Sequence, residues 1–345
     1  MNNLKKSKPV SIGVIGCGHW GPNHIRVFSS LPQSEVLMCS DLDDKRLKAM
    51  AESFEHLQTT KRYQDILEND AIDAVCVASP TKTHFPIVKE ALEHGKHVLC
   101  EKPLTLGPEQ CRLLNDLAQQ KNRILMVGHI FLFNAGIVWL KEYIKSGALG
   151  KVFYAYSTRT NLGPFRYDVN ALWDLAPHDI SIFNYLLDGA PLNASARGHK
   201  YLGNSLEDMA FAALEYPNNI AAHLHVSWLD PKKVRQITLV GDKQMVVWDD
   251  LDMAGPIKIY DKHVDRASAY YATYGEFQLL SKEGNTTIPK IALNEPLKVQ
   301  DQYFLDCILS NRAPDICDGK KAADVVQALC AIQKSMDQMG ASVVL

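Results

Sequence analysis

The stretch VSIGVIGCGHWG at residues 10–21 decides the fold of the first part of the chain. It is a short apolar run that ends in a GxGxxG pattern, and an amphipathic segment follows at 21–31. In a strand–turn–helix unit, such glycines serve a tight turn, the approach of a pyrophosphate and close packing of helix on strand. The helix N-terminus then offers free N–H groups to phosphates. The residues expected to bind a dinucleotide here are Gly16, Gly18, His19, Trp20 and Gly21.

Asp41 ends the next apolar run, about 20 residues after the turn, where an acidic side chain binds ribose hydroxyls. Alone, it would more commonly be a helix cap. Together with the glycine pattern, in this order along the chain, it favours dinucleotide binding. A carboxylate repels a 2′-phosphate and position 42 is Leu rather than Arg, so we expect NAD rather than NADP. Arg46, one turn later, is the feature that would suit NADP.

Short apolar runs alternate with helical patterns through the first 127 residues, which predicts a doubly wound parallel sheet. The apolar runs lie at 10–16, 36–40, 73–78, 97–100 and 124–127. The helical patterns lie at 21–31, 43–54, 62–68, 83–95 and 107–121. We therefore expect an α/β Rossmann domain at 1–127 that binds NAD.

The pattern after residue 127 changes to successive strands with few helices between them, which predicts an α+β domain at 128–345 with a large, mainly antiparallel open sheet. Its expected strands lie at 151–160, 192–202, 207–216, 219–228, 234–240 and 244–249. Its expected helices lie at 134–147, 178–188, 298–311 and 319–339.

The composition of the 345 residues, 46% hydrophobic and 22% charged with a net charge of −2, gives no overall attraction to nucleic acid or anionic membrane. No apolar run approaches the roughly 20 residues of a membrane span. The opening residues 1–10 lack the apolar core of a signal peptide and are expected to form a solvated tail. The eight cysteines form no CxxC pair, so we expect neither disulfides nor a metal site, and a cytoplasmic location.

The stretch CEKP at 100–103 follows an apolar run and is the most specific motif of the chain. It resembles the EKP signature of the glucose–fructose oxidoreductase/inositol dehydrogenase/rhizopine catabolism (Gfo/Idh/MocA) oxidoreductases. The turn at 16–21, ASPT at 78–81, VGH at 127–129 and Asp174 four residues before His178 also match that family. The resemblance covers essentially the whole chain and implies an NAD-dependent sugar dehydrogenase. The further residues that it assigns to the cofactor are Ser79, Pro80, Thr81, His84, Glu101, Lys102 and His129.

The resemblance also implies that Lys102 contacts the nicotinamide ribose and a substrate hydroxyl, and that the Lys102–Pro103 peptide is cis. Oxidation of a secondary alcohol needs a base for the hydroxyl proton, and a neutral histidine suits that task. We therefore expect His178 to be the base and Asp174 to orient it or the sugar. Pro177 would kink the helix or restart it at His178, and either geometry serves the chemistry. Relatives often carry an aspartate three residues after the histidine, whereas this chain has Ser181 there and an aspartate at 179.

The stretches 157–166, 173–179 and 227–235 resemble a subgroup that acts on nucleotide-activated sugars. This likeness implies oxidation at C3 of a UDP-N-acetylhexosamine, either UDP-GlcNAc or its uronate, for lipopolysaccharide or surface-polysaccharide biosynthesis. A diphosphate needs cationic partners, and Arg159 and Arg166 are the first candidates, with Asn161 as a further substrate contact. Arginines on antiparallel strands are also commonly just solvated.

Three other functions stay open at this point. An inositol or free-aldose dehydrogenase, or a 3-ketosugar reductase, would keep the chemistry and change the substrate. A non-catalytic NAD-binding regulator would not need Lys102, Asp174 and His178, so their presence favours an enzyme.

Family members use the open face of the large sheet to associate, and the alternating segment 219–228 fits such a sheet. We therefore expect a homodimer or homotetramer.

Overall fold

The structure, a computed structural model, describes residues 8–203, 205–264 and 281–345. The expected solvated tail therefore falls, over residues 1–7, outside the described residues. The chain divides into two compact units, Met1–Phe133 with Glu295–Val326 and Asn134–Asn294 with Gln327–Leu345. The predicted division at residue 127 into two continuous domains stays a prediction, and each compact unit is described by itself.

The first unit contains a six-stranded sheet in the order β3-β2-β1-β4-β5-β6, and every pairing is parallel. The strands are β1 Val10–Ile15, β2 Ser34–Ser40, β3 Gln58–Thr60, β4 Ala74–Val77, β5 His97–Glu101 and β6 Leu125–Gly128. All residues of β1 and β4 are buried, as expected for central strands covered on both faces. The strand order reverses between β1 and β4, which is where sheets of this type bind ligands at their carboxyl edge.

Helices connect these strands, so the predicted doubly wound parallel sheet is confirmed. They are α1 Gly21–Ser30, α2 Asp44–Ser53, α3 Tyr63–Leu67, α4 His84–Glu93 and α5 Pro108–Gln120. A later helix, α8 at Pro296–Ser310, packs against α1 and against the short 3-10 turn Ile130–Phe133. This packing is why residues 295–326 belong to the first compact unit.

The second unit contains a nine-stranded sheet in the order β14-β13-β12-β11-β7-β10-β9-β8-β15. All its pairings are antiparallel except that of β7 with β10, so the predicted mainly antiparallel sheet is confirmed. The strands are β7 Val152–Leu162, β8 Asn193–His199, β9 Met209–Tyr216, β10 Ile220–Ser227, β11 Leu229–Gly241, β12 Met245–Asp249, β13 Ile257–Val264, β14 Ser281–Thr287 and β15 Val343–Val344.

Among the residues that the structure describes, three helices accompany this sheet: α6 Ala135–Lys145, α7 Ala171–Leu186 and α9 Gly319–Asp337. The division of the chain falls within α9. Helix α7 packs on β7, β9 and β10. The side chains of β9 alternate, with Ala210, Ala212 and Leu214 buried and Phe211 exposed. One face of the sheet is therefore covered by α7, and the opposite face of these strands is open.

The described residues contain no helix that is both long enough and apolar enough to cross a bilayer. A group of histidine, cysteine and carboxylate side chains suited to a metal ion is also absent from that part of the chain.

Candidate active site

The glycine-rich turn between β1 and α1 has the shape that a pyrophosphate requires. Gly16 has φ +98°, and a Cβ there would lie 2.7 Å from the Ala78 carbonyl oxygen. A Cβ on Gly21 would overlap the carbonyl oxygen of Gly16, so α1 lies directly against the turn. A Cβ on Gly18 would meet open space, with only Arg46 Nη1 at 3.8 Å. The first and third glycines thus close the turn, while the second leaves room for a ligand.

The N-terminus of α1 carries no side-chain cap at Trp20, so no side chain competes for its first N–H groups. This is the arrangement that binds anions at helix N-termini. Asp41, directly after β2, accepts hydrogen bonds from Cys17 N at 2.7 Å and from Asp43 N at 2.9 Å. The carboxylate therefore ties the glycine-rich turn to the end of β2, and Arg46 Nη1 lies 3.5 Å away.

His84 is buried between the loops that follow β4 and β5. Its ring is 1% exposed, with Nδ1 at 2.9 Å from the Pro103 carbonyl oxygen and Nε2 at 2.8 Å from that of Ser79. Burial lowers the pKa of the ring. Ser79 Oγ and Thr83 Oγ1 are 2.7 Å apart, which closes the turn after β4. Both ring nitrogens lie beside backbone carbonyl oxygens, and the neutral ring donates to one of them. The expected cofactor contact of His84 stays a prediction.

Glu101, Lys102 and His129 come together at the carboxyl ends of β5 and β6. Glu101 Oε2 accepts a hydrogen bond from Lys102 N at 3.2 Å, and the Lys102–Pro103 peptide is cis, as expected. His129 is 2% exposed, and neither ring nitrogen has a hydrogen-bond partner among the described residues. Burial, assisted by the Lys102 cation, lowers the pKa of His129 to about 4. A neutral ring with two unused nitrogens beside Lys102 fits the polar part of a cofactor.

His24 and Asp301 were not predicted from the sequence, although His24 contacts Glu101 and Asp301 contacts His24. His24 Nε2 lies 3.1 Å from Glu101 Oε1, and its Nδ1 lies 3.0 Å from Asp301 Oδ2. Its place three residues after Gly21 on α1 could have indicated an inward-facing ring, since Gly21 is itself buried. No sequence pattern indicated Asp301, because it comes from a helix far along the chain.

In the second unit, α7 carries the proposed base on an unbroken helix. Asn170 Oδ1 caps it by accepting from Trp173 N at 3.0 Å, and the helix continues through Pro177 to Leu186. The expected helix at 178–188 therefore begins seven residues earlier, and the notion of a restart at Pro177 is wrong. Asp174 and His178 lie four residues apart on one helix face. Because His178 lies beyond the first turn, the helix dipole gives no special reason for a neutral ring there.

Asp174 is held from two sides. Its Oδ1 accepts from Arg166 Nη1 at 3.0 Å, and its Oδ2 accepts from Trp228 Nε1 at 3.3 Å. Arg166 also binds Asp168 through Nε and Nη2, at 2.9 and 2.6 Å. The Arg166 side chain is 36% exposed, so part of the guanidinium stays accessible. At the end of β7, the amide of Asn161 donates to the carbonyl oxygen of Gly163.

Arg159 is buried and paired with a carboxylate, and its expected role as a diphosphate contact stays a prediction. The residue is 3% exposed, and its Nε and Nη2 bind the two oxygens of Asp179 at 2.8 and 3.1 Å. This bidentate pair links β7 to α7 at the residue directly after His178. The role of Asp179, left open by the sequence, is therefore to bind Arg159, while Ser181 Oγ donates to the carbonyl oxygen of His178 at 2.8 Å.

Two family models match the chain in succession. The model described as the NAD-binding Rossmann fold of the Gfo/Idh/MocA oxidoreductase family matches residues 10–129, and that of the Gfo/Idh/MocA C-terminal domain matches residues 137–247. The first match covers the glycine-rich turn, the EKP turn and His129, and the second covers β7, α7 and Trp228.

Individual relatives are dehydrogenases of sugars and inositols. The UDP-N-acetylglucosamine 3-dehydrogenase of Acidithiobacillus ferrooxidans is 25% identical over 94% of this chain and 96% of its own length. An inositol 2-dehydrogenase of Saccharopolyspora erythraea is 28% identical over 63% of this chain and 66% of its own. A levoglucosan dehydrogenase in complex with NADH and levoglucosan shares the fold, with a TM-score of 0.84, 18% identity and coverage of 98% of this chain and 99% of that one. The chain belongs to the Gfo/Idh/MocA family and is an NAD-dependent sugar oxidoreductase with an N-terminal NAD-binding Rossmann domain.

Proposed function

We propose that the chain oxidises the C3 hydroxyl of a UDP-N-acetylhexosamine, UDP-GlcNAc or its uronate, to a 3-keto sugar. The nearly full-length likeness to a UDP-N-acetylglucosamine 3-dehydrogenase supports the substrate class. The observation that carries the catalytic assignment is the placement of Asp174 and His178 one turn apart on α7, with the carboxylate already anchored.

His178 removes the hydroxyl proton in this proposal. Its side chain is largely buried, with 9% of the residue exposed, so the proton acceptor is shielded from bulk water. Asp174 lies on the same face and orients the sugar or the imidazole. Because Arg166 and Trp228 hold both carboxylate oxygens, Asp174 stays fixed while the proton moves. Such positioned acid–base groups contribute roughly 10²- to 10⁴-fold in rate.

The first unit holds the cofactor in this proposal. The open side of Gly18 and the uncapped N-terminus of α1 receive the pyrophosphate, and Asp41 receives the adenosine ribose. The unused nitrogens of His129 serve as hydrogen-bonding groups for the nicotinamide end. When bound, NAD supplies the acceptor for the hydride that leaves the carbinol carbon.

Lys102 binds a ribose hydroxyl and the substrate hydroxyl through its ammonium group. The backbone of Lys102 is fixed by the hydrogen bond that its N–H donates to Glu101, the last residue of β5. A lysine offers three donors on one flexible stem, so one side chain can bind two hydroxyls at once.

We assign the diphosphate of the substrate first to Arg166, which is more accessible than the buried Arg159. Arg166 is part-exposed and binds two carboxylates, so a phosphate would exchange with Asp168 while Asp174 stays in place. Asn161 remains a proposed sugar contact at the end of β7. A free polyol would not need Arg166, and this residue therefore separates the nucleotide-sugar proposal from an inositol dehydrogenase.

A second copy of the chain is proposed to cover the open face of the large sheet. On this face, Tyr154 and Tyr156 are 44% and 43% exposed, and Phe211 is 43% exposed. The Phe211 ring stacks on His225 at 4.4 Å and on His223 at 6.1 Å between centroids. Such contiguous aromatic patches are rarely left in water. The proposed assembly is a homodimer or homotetramer.

The test measures NADH formation with UDP-GlcNAc, its uronate, myo-inositol and glucose in parallel. We expect turnover of a UDP-sugar, lost in His178→Ala and kept in the control His199→Asn, which changes an exposed histidine of the same unit. Arg166→Met should raise KM for the UDP-sugar and leave KM for NAD unchanged. Turnover of the free sugars alone would contradict the substrate class, and NAD binding without any turnover would contradict the catalytic assignment.

A further inference from the structure

Resting on the proposed function, we propose that Asp301 and His24 are positioning residues that act through Glu101 on Lys102. The three side chains form a continuous buried chain of hydrogen bonds, called the Asp301–His24–Glu101 chain below. It connects α8 through α1 to the turn that carries the lysine.

Every link of the Asp301–His24–Glu101 chain lies within hydrogen-bonding distance. Both Asp301 oxygens lie within 3.2 Å of His24 Nδ1, and Nε2 on the opposite side of the ring lies 3.1 Å from Glu101 Oε1. The remaining oxygen of Glu101 accepts from Lys102 N at 3.2 Å. His24 and Asp301 are 0% exposed and Glu101 is 8% exposed, so water cannot replace any of these contacts.

With both neighbouring carboxyls ionised, the contacts require His24 to carry two protons. A carboxylate only accepts hydrogen bonds, so an imidazole between two carboxylates satisfies both only as the imidazolium. Burial is the largest influence and opposes that charge, but Asp301 and, after it, Cys76 together outweigh burial and raise the pKa of His24 well above the ordinary value. Burial is likewise the largest influence on Glu101 and opposes its charged form, but the hydrogen bond and charge of His24, together with Lys102, outweigh burial and lower the pKa of that carboxyl. His24 thus keeps Glu101 ionised beside Lys102.

The groups that face His24 come from three other elements. Asp301 lies on α8, Cys76 on β4 and Glu101 on β5, while Lys102 and His129 face Glu101 from the turns after β5 and β6. The Cys76 thiol is itself buried, and burial raises its pKa, so it stays neutral. Burial raises the pKa of Asp301, and the facing His24 opposes that rise. Within this group of described residues, Glu101 is the carboxyl whose pKa is lowered, and Lys102 is the cation beside it.

A purely structural role explains this arrangement less well. Buried ion pairs seldom stabilise a fold more than apolar side chains of the same volume would. The Asp301–His24–Glu101 chain ends at Lys102, which the proposed reaction requires, and its middle member lies on α1, whose N-terminus follows the glycine-rich turn. Gly128 leaves room for it, since a Cβ there would lie 3.1 Å from Glu101 Oε1. The Asp301–His24–Glu101 chain therefore links the turn that carries Lys102 to α1, the helix proposed to bind the pyrophosphate.

The test compares His24→Gln and Asp301→Asn with His97→Gln, which changes a histidine at the opposite end of β5 that does not contact Lys102. We expect His24→Gln and Asp301→Asn each to lower kcat/KM roughly 10- to 100-fold, because small displacements of a positioning group have effects of this size. NADH affinity, measured by fluorescence, should weaken in both and stay unchanged in His97→Gln.

The pH dependence distinguishes positioning from mere stability. In Asp301→Asn, the pKa of His24 should fall, so that kcat/KM and NADH affinity decline as the pH rises through it. The wild type should show no such step. ¹⁵N NMR of the histidine ring should find His24 as an imidazolium that does not titrate between about pH 5 and 8.

A neutral His24 in the wild type, or an Asp301→Asn variant with wild-type kinetics and pH profile, would overturn the inference. If no sugar is turned over, the proposed function fails, yet the NMR signal and NADH affinity still decide on the Asp301–His24–Glu101 chain. If His24→Gln does not fold, the isosteric Asp301→Asn and the wild-type NMR signal decide it.

Discussion

At the scale of single residues, Asp174 is the side chain whose charge and contacts can be separated by substitution. Asp174→Asn keeps an oxygen for the Trp228 indole but loses the negative charge that faces Arg166. We predict that kcat falls by about 10²-fold while NAD affinity is unchanged. Steady-state kinetics and NADH fluorescence check this, with Asp168→Asn as the control, because Asp168 binds the same arginine. Equal losses in both variants would show that only the arginine matters.

His129 provides a prediction about acid stability. Its pKa is about 4 in the folded chain and about 6.5 when unfolded, so the unfolded chain binds more protons between these values. The stabilisation is complete above pH 6.5 and is lost as the pH falls towards 4, by about 3 kcal/mol for this ring. The melting temperature without cofactor should therefore drop on acidification, and less so in His129→Phe. An identical drop in the variant would contradict the assignment.

The residues of the site could be predicted only where a local motif marked them. Gly16 and Lys102 lie in short motifs whose neighbours in sequence are also neighbours in space. Arg159 was expected to bind phosphate because arginines suit diphosphates, but its buried partner Asp179 lies 20 residues away on another element. His24 and Asp301 are 277 residues apart, so no pattern in the sequence could connect them.

At the scale of elements, the glycine-rich turn predicts opposite outcomes for two similar substitutions. Gly18→Ala places a Cβ in open space, so the melting temperature should stay unchanged while the Kd for NAD rises tenfold, about 1.4 kcal/mol. Gly21→Ala overlaps the carbonyl oxygen of Gly16 and should destabilise the fold by about 1–3 kcal/mol. Calorimetry and NADH titration measure both. Loss of stability without loss of affinity in Gly18→Ala would refute the role of Gly18.

The link between β7 and α7 predicts a non-additive effect. Arg159→Ala leaves the buried carboxylate of Asp179 without its bidentate partner, which should cost about 3–5 kcal/mol of unfolding free energy. The double variant Arg159→Met with Asp179→Leu should be markedly more stable than that single variant, since no buried charge remains. Denaturant unfolding of the three proteins checks this. A double variant as unstable as Arg159→Ala would contradict the ion-pair explanation.

Elements with strong periodicity were predicted and weak ones were missed. The parallel strands are short apolar runs between glycines and polar turns, and α1, α2, α4 and α5 were placed within two residues of their ends. The three residues of β3, Gln-Thr-Thr, carry no apolar signal, and their pairing with β2 is decided by the fold. The start of α7 was misplaced because Pro177 normally argues for a helix break.

At the scale of the whole molecule, the open face of the large sheet predicts the assembly state. Tyr156→Arg would place a charge among exposed aromatic rings, and we expect it to shift the protein to a smaller species in light scattering. Leu251→Arg, at an exposed position after β12, is the matched control and should leave the mass unchanged. A monomeric wild type would contradict the proposed assembly.

The two folding patterns could be predicted from the sequence because strand–helix alternation and successive strands differ over tens of residues. The return of residues 295–326 to the first unit could not be predicted, because it depends on the packing of α8 on α1. The choice of substrate likewise cannot be predicted from hydrophobic periodicity, because it depends on a few side chains such as Arg166.

The most direct test of the central claim follows the hydrogen that the reaction removes. UDP-GlcNAc and its uronate, each deuterated at C3, are incubated separately with the protein and NAD. The cofactor is then released by denaturation, and its mass is measured by mass spectrometry. We predict that NADH carries one deuterium from at least one of these sugars, and that His178→Ala gives none. Unlabelled NADH, or sugars that keep their deuterium while NAD stays oxidised, would contradict oxidation at C3 by this chain.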